Sequence, residues 1–381
     1  MAKINYHELL PHCRTEKQKQ YVEMCIEHGS AWSASRESGV SVGTIKDSVY
    51  KVQRHKQNDS MPVALAREST LKDYRTNPDG DTLLQWQIKD NKMEARMEAF
   101  RLAIDAAIEE LPRLPAVKSP RYTNKNLMNC YVITDYHIGM LSWAEETGED
   151  WDTTIAENLL IDWFEAAIAA TPDAEIGVLA QLGDYLHFDS LSAITPASGH
   201  LLDADTRYQR VVRIAIRVLR RVIDMLLHKH KRLHVLMAEG NHDTASSVWL
   251  RELFYALYEK EKRITVHREP DPYYCIEHGK TVLFFHHGHK RKPSNIDDVF
   301  VAKYREIFGR TKYAYAHMGH MHHINIKETN LMVVEQHRTL AAKDAYASRG
   351  GWLSGREANA ITYHSEYGQI GRVTITPEMV K

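Results

Sequence analysis

Five short clusters of Asp, Asn and His recur along the chain. They read Asp135-Tyr136-His137-Ile138-Gly139, Gly183-Asp184-Tyr185-Leu186-His187, Gly240-Asn241-His242-Asp243, His286-His287-Gly288-His289 and Gly319-His320-Met321-His322-His323. Carboxylate and imidazole together suit borderline divalent ions such as Mn, Fe, Co, Ni or Zn. In Asp135-x-His137 and His320-x-His322 the partners stand two apart, a spacing that on an extended chain points both to one side. A carboxylate such as Asp184 has two oxygens and can bridge two cations. Two ions ~3.5–4 Å apart clamp the attacking and leaving oxygens of an in-line displacement and acidify a bound water. Taken singly the motifs are weak, because a lone Asp or His after a strand is usually a cap or turn residue. Their order and common placement make them specific.

That placement is set by the elements before them. Apolar strands are expected at Leu127–Thr134, Ile176–Leu182, Leu233–Ala238 and Val282–His286, and helices at Ile155–Ala170, Tyr208–Leu227 and Ser246–Glu259. Strand–helix alternation predicts an α/β domain. The carboxyl ends of such strands converge on one edge, where ligands bind. Beyond about position 310 short strands take over (Lys312–His317, Asn325–Lys327, Leu331–Glu335, Arg372–Ile375), which predicts a sheet completed by antiparallel strands.

The 381 residues allow two domains, and a hydrophobic fraction of 43% with 26% charged residues is ordinary for a globular protein. With 49 Lys+Arg against 50 Asp+Glu, attraction to nucleic acid must come from local patches. No stretch approaches the ~20 apolar residues of a membrane span, and the start lacks a signal core. Cys13, Cys25, Cys130 and Cys275 form no CxxC pair and read as reduced thiols, so a cytoplasmic location is expected. Histidine is the outlier: seven of 22 fall between positions 286 and 323.

From Asn126 to about Ile324, the order of these motifs resembles the calcineurin-like metallophosphoesterases. The resemblance implies an α/β sandwich of two mixed β-sheets flanked by helices, with a dinuclear site at one edge. By position it implies that Asp135, His137, Asp184 and His322 hold one metal, and Asp184, Asn241, His287 and His320 the other. The fourth-motif ligand of the family immediately precedes a Gly, which selects His287 over His286 or His289. It further implies that His242 faces the scissile phosphate as a catalytic imidazole, with Asp243 orienting it or capping the next helix. The run GDYLHFD and the motif GNHD depart from the GDxxDRG and GNHE of the phosphoprotein phosphatases. They are more similar to the SbcD-type DNA nucleases, which carry His at the position of His187, as a phosphate contact or behind the ligands. No nuclease capping domain is evident after the last motif.

Residues 1–58 read as short helices. Thr15 caps one that stops at Gly29, a second runs Ala31–Ser38 with Gly39 as breaker, and Ser41 caps a third through Ile45, Val49 and Val52. ASRESGVSVGTIKDSVY resembles a helix-turn-helix. Nine Lys/Arg against six Asp/Glu, with Lys46, Lys51, Arg54 and Lys56 on the third helix, suit DNA phosphates; a helical docking domain is the alternative. Residues 59–125 form a connector, with a hairpin about Asn77-Pro78-Asp79-Gly80 and a helix over Lys92–Leu111. The layout 1–58, 59–125 and 126–381 is similar to that of tailed-bacteriophage proteins. The expected activity is a metal-dependent phosphodiesterase, a DNA nuclease using two divalent ions, Mn2+ foremost. The alternatives are a phosphomonoesterase, or a DNA-binding regulator with a structural metal site.

Overall fold

Start and stop signals in the first 59 residues define three helices: α1 (Glu16–Glu27), α2 (Ala31–Ser38) and α3 (Val42–Asp59). The Thr15 hydroxyl accepts the Gln18 amide at 3.2 Å, and the Ser30 hydroxyl accepts the Ser33 amide at 3.1 Å. Gly29 and Gly39 end α1 and α2 with φ of 72° and 69°, a left-handed conformation that glycine adopts without penalty. Val22, Cys25, Ala34, Ile45, Val49 and Val52 are buried together as the core of this unit.

The structure, a computed structural model, describes residues 4–59, 69–70, 87–88, 117–196 and 198–380. The chain divides into two compact units, Met1–Asn91 and Lys92–Lys381. In the first, β1 (Ser69–Thr70) pairs antiparallel with β2 (Gln87–Ile88), one dipeptide from each half of the expected hairpin. The turn at 77–80 and the helix over 92–111 lie outside the described residues.

The second unit is built on two mixed sheets. In the larger, β3 (Asn124–Ile133), β4 (Ala174–Gln181), β5 (Arg232–Met237) and β6 (Ile264–Val266) run parallel. Strand β12 (Ala358–His364) joins β3 antiparallel, and β13 (Gly368–Ile375) closes that edge. The smaller sheet has the order β10 (Asn325–Glu328), β11 (Val333–Gln336), β9 (Tyr313–Met318), β8 (Thr281–His286) and β7 (Tyr274–His278). Expected and observed strands agree to within a few residues, except that β6, β7 and β12 were not anticipated.

Side-chain alternation assigns the layers. Met128, Cys130 and Val132 of β3 pack with Leu283 and Phe285 of β8 between the sheets. Tyr131 and Ile133, one residue out of phase, face α5 (Thr153–Ala170) and α6 (Tyr208–Lys229). Val282 and Phe284 pack on the far side against Phe300 of α8 (Asp297–Lys303). The order is therefore helices, sheet, sheet, helices. Because β3 is covered on both faces from Leu127 on, its side chains there are buried at every position rather than at alternate ones.

A polar chain crosses this interior. Arg372 of β13 clamps Glu335 of β11 through two bonds, Nη1 to Oε1 at 2.6 Å and Nη2 to Oε2 at 2.5 Å. His337 Nδ1 stands 3.6 Å from Glu335, its Nε2 is 2.9 Å from Nδ1 of His317, and Nε2 of His317 is 2.8 Å from the Tyr363 hydroxyl. Among the described residues no helix is long and apolar enough to cross a membrane.

Candidate metal centre

The five motifs leave β3, β4, β5, β8 and β9 at one edge of the sandwich. Backbone bonds carry strand pairing on into the loops and lock them together. The amides of Asp135, His137 and Ile138 donate to the carbonyls of Gly183, Asp184 and Tyr185 at 3.0, 3.0 and 2.8 Å. Gly319 donates to His287 at 2.7 Å, which fixes the fifth loop to the fourth. Loops held this way act as an extension of a rigid scaffold.

Two adjoining groups of donors result: Asp135, His137 and His322, and Asp184, His287 and His320. Asp135 Oδ1 lies 3.1 Å from Nε2 of His322 and 3.9 Å from Nε2 of His287. Asp184 Oδ2 lies 3.1 Å from Nε2 of His287, which is also 3.1 Å from Oδ1 of Asn241. The other oxygen of each carboxylate is occupied: Asp135 Oδ2 accepts from the His320 amide and the Thr134 hydroxyl, and Asp184 Oδ1 from the His242 amide. Each carboxylate thus turns one oxygen toward the imidazoles and anchors itself by the second. His287 Nδ1 donates to the Leu182 carbonyl at 2.8 Å, leaving Nε2 for a ligand. Its neighbour His286 instead stacks on Tyr273 and accepts the Gly288 amide, and His289 faces Glu239.

Charge in the group is mutual. Burial alone would raise the Asp135 carboxyl, but His322 and His287 outweigh it and hold it below the usual carboxylate range. Burial likewise opposes ionisation of Asp184, and His287 with His242 overcomes it. In return burial would lower His287, yet Asp184 and Asp135 push it up to about 10. Burial, then His242 and His187, press His137 well below its ordinary value. The donors are carboxylate, amide and imidazole, with no thiolate, a set that fits Mn, Fe, Co, Ni or Zn.

His242 stands at the mouth of the group. Its Nδ1 bonds the His187 carbonyl at 2.8 Å, and its ring centroid is 4.7 Å from that of His137. The sequence offered Asp243 as the group orienting His242, and here the fold differs. The Asp243 carboxylate accepts the amides of Asp184, Tyr185, Leu186 and Gly240 at 2.7–3.2 Å, binding the second loop to the third. Burial, then Asp184 and Asp189, raise it to about 8. Its side chain does not cap α7 (Thr244–Leu257) either. Asp189 does, accepting the amides of Ala245 and Ser246 at 2.6 and 2.8 Å. Local spacing hid this, since cap and helix are 56 residues apart. His187 is buried behind the ligand loops, with Nδ1 3.4 Å from Nδ1 of His137, and burial lowers it to about 3.

The backbone carries a signal that spacing could not. Five described non-glycine residues have positive φ: Asp135 (51°), His137 (50°), Asp184 (50°), His320 (77°) and His322 (54°). All five are expected ligands. The Asp-x-His and His-x-His pairs therefore do not converge as extended dipeptides; left-handed residues turn them inward. Each such residue costs roughly 1–2 kcal/mol. Glycine is required beside them for space. A Cβ at Gly183 would sit 2.7 Å from Nδ1 of His287, and one at Gly240 would fall on the Asp184 backbone nitrogen.

No family model matches the chain, and no curated protein does. Solved structures give low likenesses. A predicted phosphoesterase from Streptococcus pneumoniae TIGR4 has 10% identity over 66% of this chain and 91% of its own, with a TM-score of 0.32. An archaeal phosphodiesterase has 11% identity over 65% and 100%, at 0.33. Vps29 of Entamoeba histolytica, complexed with zinc, has 10% identity over 66% and 99%, at 0.29. At these TM-scores nothing is carried over from them to this chain.

Proposed function

We propose that residues 126–381 form a calcineurin-like, dinuclear metallophosphoesterase that hydrolyses phosphodiester bonds, with DNA as substrate in the manner of the SbcD-type nucleases. The observation that carries this reading is the pair of facing contacts at 3.1 Å, Asp135 with His322 and Asp184 with His287, in a cluster buried on the strand side. It reaches solvent through the half-buried His242, His320 and His322.

Asp135, His137, Asp184 and His322 would hold one ion, and Asp184, Asn241, His287 and His320 the other, with Asp184 shared. Bound there, two divalent ions supply positive charge to a phosphate and acidity to a water molecule. The chain's own part is distinct. With Nδ1 committed to the His187 carbonyl, His242 presents Nε2 to a phosphoryl or leaving oxygen as the group that moves a proton. Asp243 holds the second loop in register with the third and so positions Asp184.

The N-terminal unit is assigned to DNA backbone contact through its α2–Gly39–α3 turn and the exposed Lys46 and Lys51. The deciding assay compares bis-p-nitrophenyl phosphate with p-nitrophenyl phosphate in Mn2+, then single- and double-stranded DNA. Diester hydrolysis and DNA cleavage are expected. Preference for the monoester would replace this reading with a phosphomonoesterase.

A further inference from the structure

The segment 337–343, after β11, belongs to none of the five motifs, yet it reaches the metal centre. The His337 amide donates to the Met318 carbonyl at 2.8 Å, just ahead of the fifth motif. The Thr339 carbonyl accepts the Glu357 amide at 3.1 Å, beside the start of β12. Leu340, Ala341 and Ala342 are buried in the helix-side core. The segment is therefore fixed on both sides of Thr339.

The Thr339 hydroxyl is itself held in one orientation. Its Oγ1 accepts the Ala341 amide at 2.9 Å and donates to the Asp135 carbonyl at 2.7 Å. The residue is 5% exposed, so bulk water does not compete for either bond. Asp135 is left-handed (φ 51°), a conformation that persists only where the surroundings over-determine it. Motif loops hold two of its groups. Its amide donates to the Gly183 carbonyl at 3.0 Å, and its Oδ2 accepts the His320 amide at 2.8 Å and the Thr134 hydroxyl. The carbonyl is left to Thr339, among the described residues. Oδ1 then faces Nε2 of His322 at 3.1 Å.

We propose that Thr339 is a positioning residue of the metal centre: its hydroxyl pins the Asp135 backbone and so aims Oδ1 at the ligand cluster. The proposal rests on the dinuclear reading, in which Asp135 serves one ion and not the other. Without the hydroxyl, a buried carbonyl is left unsatisfied. Turning the 135–136 peptide out of the left-handed region relieves both that carbonyl and the strain, and swings Oδ1 away from His322. Groups that orient a ligand from behind typically change metal affinity by roughly 10–100-fold when lost.

The test uses the full-length protein and Mn2+ alone, read by equilibrium dialysis and by electron paramagnetic resonance, which tells a coupled ion pair from a single ion. Wild type should bind both ions and give the coupled signal. Thr339→Val keeps the shape and removes the hydroxyl. One ion should then bind roughly 10–100-fold more weakly, the other as before, and a single-ion signal should replace the coupled one. Thr339→Ser keeps the donor and should restore the pair. Ser142→Ala is the control. The Ser142 hydroxyl, just ahead of α4 (Ala144–Thr147), donates to the Lys343 carbonyl at 2.8 Å. Its loss strands a carbonyl of the same segment away from Asp135, and should leave both ions in place. Wild-type affinity for both ions in Thr339→Val overturns the proposal. So does equal weakening of both, or the same loss in Ser142→Ala, since either makes the segment a general brace. Loss of the pair in Thr339→Ser overturns it even where the valine variant does not fold. Wild-type protein that never takes up a pair removes the dinuclear reading itself, a result that involves no variant and is told apart on that ground.

Discussion

Two buried clusters of histidine and carboxylate occupy the same sandwich, and both bring His and acidic side chains within ligand distance of one another. They differ in what answers the negative charge. Glu335 is clamped by Arg372, a cation that does not give up its proton. Asp135 and Asp184 face imidazoles, whose protons a divalent ion can replace. Distance alone does not separate a metal centre from a structural staple; the counter-charge does. The first cluster ties β13 and β12 of one sheet to β11 and β9 of the other, and the second opens to solvent.

The comparison breaks most sharply at Asp184. Asp184→Ala should lose metal and turnover together, since this residue alone is assigned to both ions; normal metal content by atomic absorption would remove it from that position. His242→Ala comes next. Both ions and the fold should persist while turnover falls roughly 10²–10⁴-fold, less for p-nitrophenyl esters than for DNA, whose leaving group needs a proton. Metal loss in that variant would make His242 a ligand.

On the other side of the comparison, Arg372→Ala should cost about 3 kcal/mol of stability in urea melts, because it strands a buried carboxylate, and should leave metal content unchanged. The pH dependence has a definite sign. Burial would raise Glu335, but His337 and the Arg372 clamp outweigh it and hold it at about 2. Its folded value lies below the unfolded one, near 4.3. The contribution is therefore complete above that value and lost as pH falls toward 2. The stability gap between wild type and Arg372→Ala should narrow below about pH 4, as thermal melts across that range would show. Metal loss in this variant would make the staple part of the centre. The smallest effect is expected outside both clusters: Lys46→Ala with Lys51→Ala should weaken DNA binding and reduce its salt slope by roughly two. An unchanged slope would assign α3 to a protein partner.

Much of the larger unit was legible because its strands are apolar runs and its ligands follow them directly. Strand β12 was not. Its sequence, ANAITYH, has no long apolar run, and its place between β13 and β3 depends on a partner more than 220 residues earlier. That Asp189 and not Asp243 caps α7 was hidden for the same reason: each carboxylate chooses amides from a different loop. Motif order could name the candidate ligands. It could not reveal the left-handed backbone that turns them inward, since Asp and His do not announce φ as glycine does.

That backbone has a consequence for selection. Replacing Asp135, His137, Asp184, His320 or His322 by glycine would relieve roughly 1–2 kcal/mol at each position while deleting a ligand. A population screened for heat resistance alone would thus find its easiest gains in the residues assigned to catalysis, and would drift toward a sturdier, inert protein. Only a screen that demands turnover keeps these five positions as they are.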